Sequence, residues 1–467
     1  MKYLRFLLIA ITVGTMSGMQ ACTDKQDVVP DQIRGLTVIC DTVNLLTARI
    51  HFEWLGSGDI GLEVEPIEGR QPQSVVIHGR NQEGRVAFDI LGLREQTEYL
   101  YRIREQAGHG GGTIYEGTFK TPALPDWIRY FLPADPEPIN MEGLILINSF
   151  EVPPQLSGVP MQGDFPASAF YVIAPDGRLI LARTSKSRIS AVKYSPRGTF
   201  ISMHSDYPGT SGSNHIIETS LAGDTLLHLE YGRDEFDRMV HHDFLMTDNH
   251  EFILITESEK NGVKVDGLMR LTRSGKKLWE WDTSEIIPVD SEPYIPPWGN
   301  SVYLDFDGHL VVSFRNLHQV WKIHKDTRQV IWRLGKNGTI PLHGDDVFLT
   351  QHMARFIEPN RIIMFDNGQD LAWHIRVSMD HRPYSRIAWY DFNESQTSIS
   401  GSRFINLPPK YFSWAMGSVT SVNGHLLVGA SWPGYLLYLD PNGSITNEWK
   451  FGTIFYRAVP IPDFLNQ

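Results

Sequence analysis

The chain of 467 residues carries 42 Lys and Arg against 54 Asp and Glu, a formal net charge of −12. That balance excludes a general nucleic-acid or anionic-membrane surface, which works by summed positive potential, and leaves any anionic ligand to a locally basic pocket. With 42% hydrophobic and 11% aromatic residues the composition is that of a folded chain too long for one ordinary core, so a small domain and a large one are expected.

The chain opens with Lys2 and Arg5, an apolar run over residues 6–13, and small residues up to Ala21 and Cys22. This is the pattern of a secretory signal, and the run falls well short of the roughly 20 residues that a membrane span needs. Ala21 before Cys22 resembles a bacterial lipobox, from which Met19 and Gln20 depart. Residues 1–22 are therefore expected to direct export to the periplasm or cell surface. Lipid on Cys22 would be the sole membrane attachment, with simple cleavage as the alternative. Lipidation of Cys22 would leave Cys40 as the one remaining thiol, so no intramolecular disulfide is expected.

Residues 23–33 are polar and read as a tether. Over 34–122, short alternating segments such as 47–54 and 74–78, separated by Gly, Asn and Pro, predict strands. The stretch from Gly92 through Tyr99 and Tyr101, followed by Gly117 to Pro122, resembles the closing half of a fibronectin type III-like sandwich. A small β-sandwich is expected there, with 123–138 as a linker.

From 139 to 467 one unit recurs: an apolar strand, a turn with Gly or Asp, and a second strand often ending in Trp. Its turn markers are Gly177, Gly223, Gly275, Arg328, Arg382 and Gly443, spaced by 46 to 61 residues, the size of a propeller blade with its loops. A second hairpin class alternates with the first, turning at 197–198, 248–249, 307–308, 359–360 and 423–424. Two hairpins per period make a four-stranded blade, so the fold is expected to be all-β, a six-bladed β-propeller behind the sandwich. The recurring Trp279, Trp332 and Trp449 belong to packing between blades.

The far ends of the second hairpins are polar where strand interiors are apolar. With Asp307-Gly308 as a two-residue turn, Asn300 falls opposite Arg315. With Pro359-Asn360 as the turn, His352 falls opposite Asn367, and His241-His242 open a further hairpin. In a propeller these ends share one mouth of the central channel, so His, Asn and Arg from successive blades converge. Taken singly, a His or Asn at a strand end more often satisfies local backbone.

Five segments in order carry a more specific signal: Val240-His-His-Asp-Phe244, Trp298-Gly-Asn-Ser301 with Ser313-Phe-Arg315, Thr350-Gln-His-Met-Ala354, Phe365-Asp-Asn-Gly368, and 417–424. Their order and spacing over 140–455 resemble the motifs of the bacterial aryl-sulfate sulfotransferases, a family that also carries a sandwich before its propeller. The resemblance implies transfer of a sulfuryl group from an aryl sulfate to a phenol through a sulfated histidine, without a nucleotide sulfate donor. It puts the nucleophile on His352, the anion-binding arginine on Arg315, an asparagine on Asn300, and the acid–base histidine on His242 with His241 as the alternative. Where the family has His-x-Asn-Ser this chain has Trp298-Gly-Asn-Ser301, which implies an altered donor or acceptor preference or a reduced activity, since an indole offers a donor but neither base nor cation.

These residue types suit the reaction. A planar guanidinium can hold two sulfuryl oxygens and Asn300 can donate to another, while Asn367 can fix the His352 tautomer. His242 can serve the leaving phenoxide and the incoming phenol, and Trp298 and Trp414 can sandwich aryl rings. No cofactor and no metal are called for, because no nucleotide loop, zinc cluster or hydrolase elbow emerges. Partners are expected to be small aryl sulfates and phenols, not nucleic acid, with a homodimer as a candidate assembly. Two other readings stay open: a non-catalytic surface lipoprotein that binds a glycan or aromatic ligand, and a quinone-cofactor dehydrogenase. The second lacks the vicinal cysteine pair that such enzymes often carry.

Overall fold

The computed structural model describes residues 19–21, 29–68, 75–77, 84–105, 112–149, 166–207, 212–290, 294–369, 382–393 and 395–465. Cys22, with most of the expected signal and tether, lies outside the described residues. The chain divides into two compact units, Met1–Pro122 and Ala123–Gln467, each built almost wholly of antiparallel strands.

In Met1–Pro122 the strand Ala48–Trp54 buries every second residue, Ala48, Ile50, Phe52 and Trp54, because successive side chains of a strand face opposite sides. It joins a sheet with Ile33–Asp41 and Arg85–Leu91, while Ile60–Pro66, Glu98–Glu105 and Thr113–Lys120 make a second sheet. Their inner faces share one core, in which Ile50, Phe52 and Phe88 gather with Tyr99, Tyr101 and Phe119. The Tyr99 ring stacks on Phe119 at 5.4 Å, and its hydroxyl accepts a hydrogen bond from the Arg94 N–H at 2.7 Å. That bond pins the corner leading into Glu98–Glu105. Cys40 is disulfide-bonded, contrary to the lone thiol expected from the sequence, and its partner lies outside the described residues.

The residues of 123–138, where the sequence suggests a linker, contain helix α1 (Asp126–Phe131). Trp127, Ile128 and Phe131 are buried on its one apolar side, and Phe131 stacks on Tyr171 at 3.9 Å.

Six sheets, antiparallel but for one short parallel pair that joins Ile340–Pro341 to Val330–Gly335, follow among the described residues of Ala123–Gln467. Five have as their first long strand β1 (Arg188–Tyr194), β2 (Val240–Met246), β3 (Gly299–Leu304), β4 (His352–Glu358) and β5 (Ser418–Val422), with the two-residue strand Gly212–Ser213 paired outside β2. In the remaining sheet the last strand, β6 (Arg457–Ile461), pairs with Leu144–Ser149, so both ends of the unit close one sheet. These strands neighbour one another in sequence order, β1 beside β2 through to β5 beside β6, and Leu144–Ser149 lies beside β1. The interfaces between sheets are apolar. Trp332 packs against Phe356 and Phe392 of the following sheet with centroids 6.3 and 5.0 Å away.

Gly177, Gly223, Gly275, Arg328 and Gly443 all take positive φ, as tight turns between right-twisted strands require. Arg382 does not mark a turn. In its sheet the hairpin of Arg386–Phe392 and Ile399–Asn406 turns at Gln396, with φ 52. Asn423 and Gly424 are both left-handed, φ 49 and 81, and close a two-residue hairpin between Val422 and His425.

Candidate active site

The site is built from a repeated irregularity. In β2, Val240 pairs with Thr256 and Phe244 with Leu254, so residues 241–243 face a single residue across the ladder. In β3 the pairing steps from Gly299–Phe314 to Ser301–Ser313, leaving Asn300 as an extra residue. In β4 it steps from His352–Phe365 to Arg355–Ile363, again with one residue too many. Three neighbouring strands thus bulge near their starts. A bulge re-aims the side chains it carries, and here these include His241, His242, Asn300 and His352. His242, Trp298 and Met353 take φ values of 59, 58 and 54 there, a conformation that costs bulky residues of order 1–3 kcal/mol each and clusters at functional sites.

The bulges also correct two expected registers. Arg315 does not lie across from Asn300. It opens a 3-10 turn, Arg315–Leu317, and its N–H donates to the Trp298 carbonyl at 3.0 Å. His352 pairs in the ladder with Phe365 rather than Asn367, yet the Asn367 side chain still reaches it.

That contact fixes the His352 tautomer. Nδ1 of His352 lies 2.8 Å from Asn367 Oδ1 and 3.0 Å from the Thr350 carbonyl. Both are acceptors, because Asn367 Nδ2 donates to the Ser413 and Met416 carbonyls at 2.6 and 2.7 Å. Nδ1 must carry the proton, which leaves a lone pair on Nε2. Burial first, and then the positive charge of Arg315, lower the His352 pKa to about 3, so the ring is neutral at ordinary pH. His352 and Arg315 are each 3% exposed. Arg315 Nη1 donates to Asn316 Oδ1 at 3.0 Å, which orients the guanidinium.

Asn300 is buried and donates from Nδ2 to the Gln351 carbonyl at 2.7 Å. Its carbonyl receives the Arg457 guanidinium, which also pairs with Asp243 at 2.9 Å. Gln351 donates to Ser313 Oγ and to the Phe314 and Gln319 carbonyls at 3.0, 3.2 and 2.8 Å, locking the residue before His352 onto the preceding sheet.

Trp298 is where the chain departs from the family motif, and its position is informative. Its indole N–H donates to His242 Nε2 at 2.9 Å. His242 is therefore an acceptor at Nε2 and, when neutral, carries its proton on Nδ1, 2.8 Å from Nδ1 of His241. His241 in turn holds its proton on Nε2, 3.7 Å from Asp266 Oδ1. Burial first, and then the neighbouring imidazoles of His241 and His352, push the His242 pKa well below its ordinary value. Both histidines are thus placed, with His242 between Trp298 and Tyr456 (centroids 6.0 and 6.3 Å) and His241 behind it. Trp414 packs edge-on to the partly exposed Trp432 at 4.2 Å, one residue from the Ser413 carbonyl that holds Asn367.

Sequence reasoning missed Arg457, Tyr456, Gln351 and Asp266. Only the Tyr456-Arg457 pair had a visible signal, a polar step at the start of a closing apolar strand. Asp366, beside Asn367 in the same motif, accepts from the Leu349 N–H at 2.9 Å and pairs with Arg386 at 2.7 Å, a backbone-holding role.

Residues 141–436 match the family model of the arylsulfotransferases (ASST), which covers more than half of the chain. The chain belongs to the arylsulfotransferase family. No curated protein matches it. Among solved structures it is similar to a protein of unknown function from Bacteroides caccae, with 11% identity, TM-score 0.43, and 68% of this chain and 99% of that one covered. It is also similar to a streptogramin B lyase, with 12% identity, TM-score 0.38, and 66% and 87% covered. A virginiamycin B lyase from Staphylococcus aureus gives 14% identity, TM-score 0.34, and 56% and 69% covered. Within the matched residues, the Trp298 indole is hydrogen-bonded to His242.

The depressed pKa of His352 sets a pH profile. A nucleophilic His352 would react as the neutral imidazole, so in that case phenol release from an aryl sulfate is expected to hold its rate from about pH 8 down to about pH 5 and to fall only as pH nears the lowered value. Stopped-flow release of phenol on mixing with a chromogenic aryl sulfate checks this. An acid limb centred near 6.5 would contradict it.

Proposed function

We propose that this arylsulfotransferase carries the sulfuryl group of an aryl sulfate ester to a phenol through a sulfo-histidine at His352, with no cofactor. The scaffold in this reading is a six-bladed β-propeller, each of the six sheets being a blade, behind a fibronectin type III-like sandwich. Family membership supports sulfotransferase chemistry on aryl sulfates and phenols. The observation that carries the reading is the His352 ring, whose proton is committed to Asn367 and Thr350 while Nε2 keeps its lone pair under the field of Arg315.

In the first half-reaction Nε2 attacks sulfur in line with the aryl oxygen, the S–O bond breaks and a phenoxide leaves. Arg315 holds the sulfuryl oxygens, and the second Nδ2 hydrogen of Asn300 is free to donate to another. The positive charge that develops on the ring is spread through Nδ1–H to Asn367 and Thr350. In the second half-reaction an acceptor phenol gives up its proton to solvent, its oxygen attacks sulfur, and the S–N bond breaks to restore the lone pair. Assay of sulfate transfer from a chromogenic aryl sulfate to a phenol tests the reading. Tight aryl binding without turnover would favour a binding protein instead, a reading that the indole capping His242 supports.

Because Trp298 already donates to His242 Nε2, and His242 resists protonation, the leaving phenoxide departs without a proton from that ring. Good leaving groups such as nitrophenols tolerate this, whereas an unactivated phenol with a pKa of about 10 does not. Trp298→His is expected to speed donors of the second kind by about 10²-fold, the lower range of general acid catalysis, and to change nitrophenyl donors little. A plot of log kcat/KM against leaving-group pKa for both proteins checks this, and equal slopes would contradict it.

Export is part of the proposal, supported by the signal-like residues 1–22 and by the disulfide at Cys40, a bond that persists in oxidising compartments. In a chain with two cysteines, lipid on Cys22 and an intrachain disulfide exclude each other. The intact mass of the exported protein tells them apart.

A further inference from the structure

The sheet that begins with β1 carries a second cluster on its outer two strands, His215–Thr219 and Thr225–Glu230. His215 pairs directly with Glu230 and Ile217 with His228, so one face of the ladder gathers two imidazoles and a carboxylate. One ligand atom from each of His215, His228 and Glu230 lies within 4.8 Å of the others. His215 Nδ1 and His228 Nε2 face each other at 3.0 Å, about the separation of two nitrogens bonded at ~2.0–2.1 Å to one tetrahedral ion.

A second observation is independent of that proximity. His215 Nε2 lies 2.6 Å from Asp206 Oδ2. A carboxylate can only accept, so Nε2 carries the proton and Nδ1 turns its lone pair toward His228. The same Asp206 oxygen accepts from Asn214 Nδ2 at 3.3 Å, which holds the carboxylate in place. A carboxylate behind the far nitrogen is the arrangement that orients metal-bound histidines and raises their basicity.

We propose that His215 Nδ1, His228 Nε2 and a Glu230 oxygen form a site for a borderline divalent cation of the zinc class, with Asp206 as the positioning residue. On binding, the proton that His228 shares with His215 shifts to His228 Nδ1, so Nε2 is freed without a change in charge. Glu230 exchanges its 2.8 Å pair with Arg233 for the ion, and Arg233, whose side chain is 73% exposed, turns to solvent. Two imidazoles and one carboxylate leave a fourth position for water. The ion would staple the two outer strands together, apart from the sulfuryl-transfer residues on the inner strands.

The test uses the full chain after dialysis against a chelator. Calorimetric titration with Zn2+, and the visible absorption of Co2+, are expected to show one tight equivalent with a low-symmetry four-coordinate spectrum. His228→Ala and Glu230→Gln should each weaken binding by at least about tenfold, and Asp206→Asn by about 10–100-fold while the Co2+ spectrum persists at saturation. His228 and Glu230 lie toward solvent, so their variants are expected to fold where a His215 variant need not. Absence of a tight equivalent, or unchanged affinity in both His228→Ala and Glu230→Gln, overturns the proposal. The 17 histidines of the chain make the second outcome a real one. No step of the test depends on sulfotransferase activity.

Discussion

His352→Ala is expected to abolish turnover of aryl sulfates, lowering kcat/KM by at least about 10⁴-fold, the scale on which loss of a covalent nucleophile acts. The expectation follows from how much structure serves that one ring. A β-bulge aims it, Gln351 anchors the residue before it with three hydrogen bonds, and Asn367 fixes its tautomer while spending its own amide on two carbonyls. A histidine kept only for packing would not need a neutral Nε2. Alanine removes the lone pair and leaves Asn367 Oδ1 facing a void, so a melting curve beside the assay separates lost chemistry from lost fold. Phenol release close to that of the unaltered protein would remove His352 from the reaction.

The second large effect lies at Arg315. Arg315→Ala should slow the donor half-reaction by about 10²–10³-fold, as removal of one preorganised oxyanion donor does. Arg315→Lys should recover little of this, because a point charge on a flexible stem cannot grip two sulfuryl oxygens in one plane. The 3-10 turn that carries Arg315 is held by backbone bonds to Trp298 and Pro297, so the substitution is expected to spare the fold. Arg315 also acts on His352: its charge helps to hold that pKa down. Removing it should let the acid limb of the donor half-reaction drift upward, toward the ordinary imidazole value, and the same stopped-flow series reads both effects. A rate that falls without movement of the acid limb would place Arg315 on substrate alone.

Much of this architecture was legible in the sequence because its signals are local. Asn423-Gly424 between apolar runs could only be a tight turn, and five of six turn markers took the left-handed backbone that such turns demand. Arg382 misled because it precedes the third strand of its sheet, while the turn uses Gln396, a residue type with no turn signature. Residues 123–138 read as a linker because of their prolines, yet Trp127, Ile128 and Phe131 stand at helical spacing and supplied the apolar side of α1. The site was legible as a set of residues but not as a geometry. Counting register from Asp307-Gly308 and Pro359-Asn360 assumed unbroken ladders, whereas a bulge at Asn300 shifts the first by one residue and two irregularities in β4, after His352 and after Phe356, shift the second by two. The loop at 308 is also longer than two residues, since Asp305 still pairs with His309. Bulges leave no period in the sequence. Arg457 stood out only as a polar step at the start of the last apolar strand, and its place was not legible because only closure of that strand against Leu144–Ser149 brings it to Asn300.

The most direct measurement is a mass spectrum of the protein quenched under alkaline conditions during turnover of an aryl sulfate, followed by fragmentation of the modified peptide. The account predicts a mass gain of one sulfuryl group on the peptide that contains His352, discharged when a phenol is added and absent from His352→Ala. A stable sulfuryl group on another residue that still transfers to phenol, or rapid transfer with no adduct at any quench time, would contradict it.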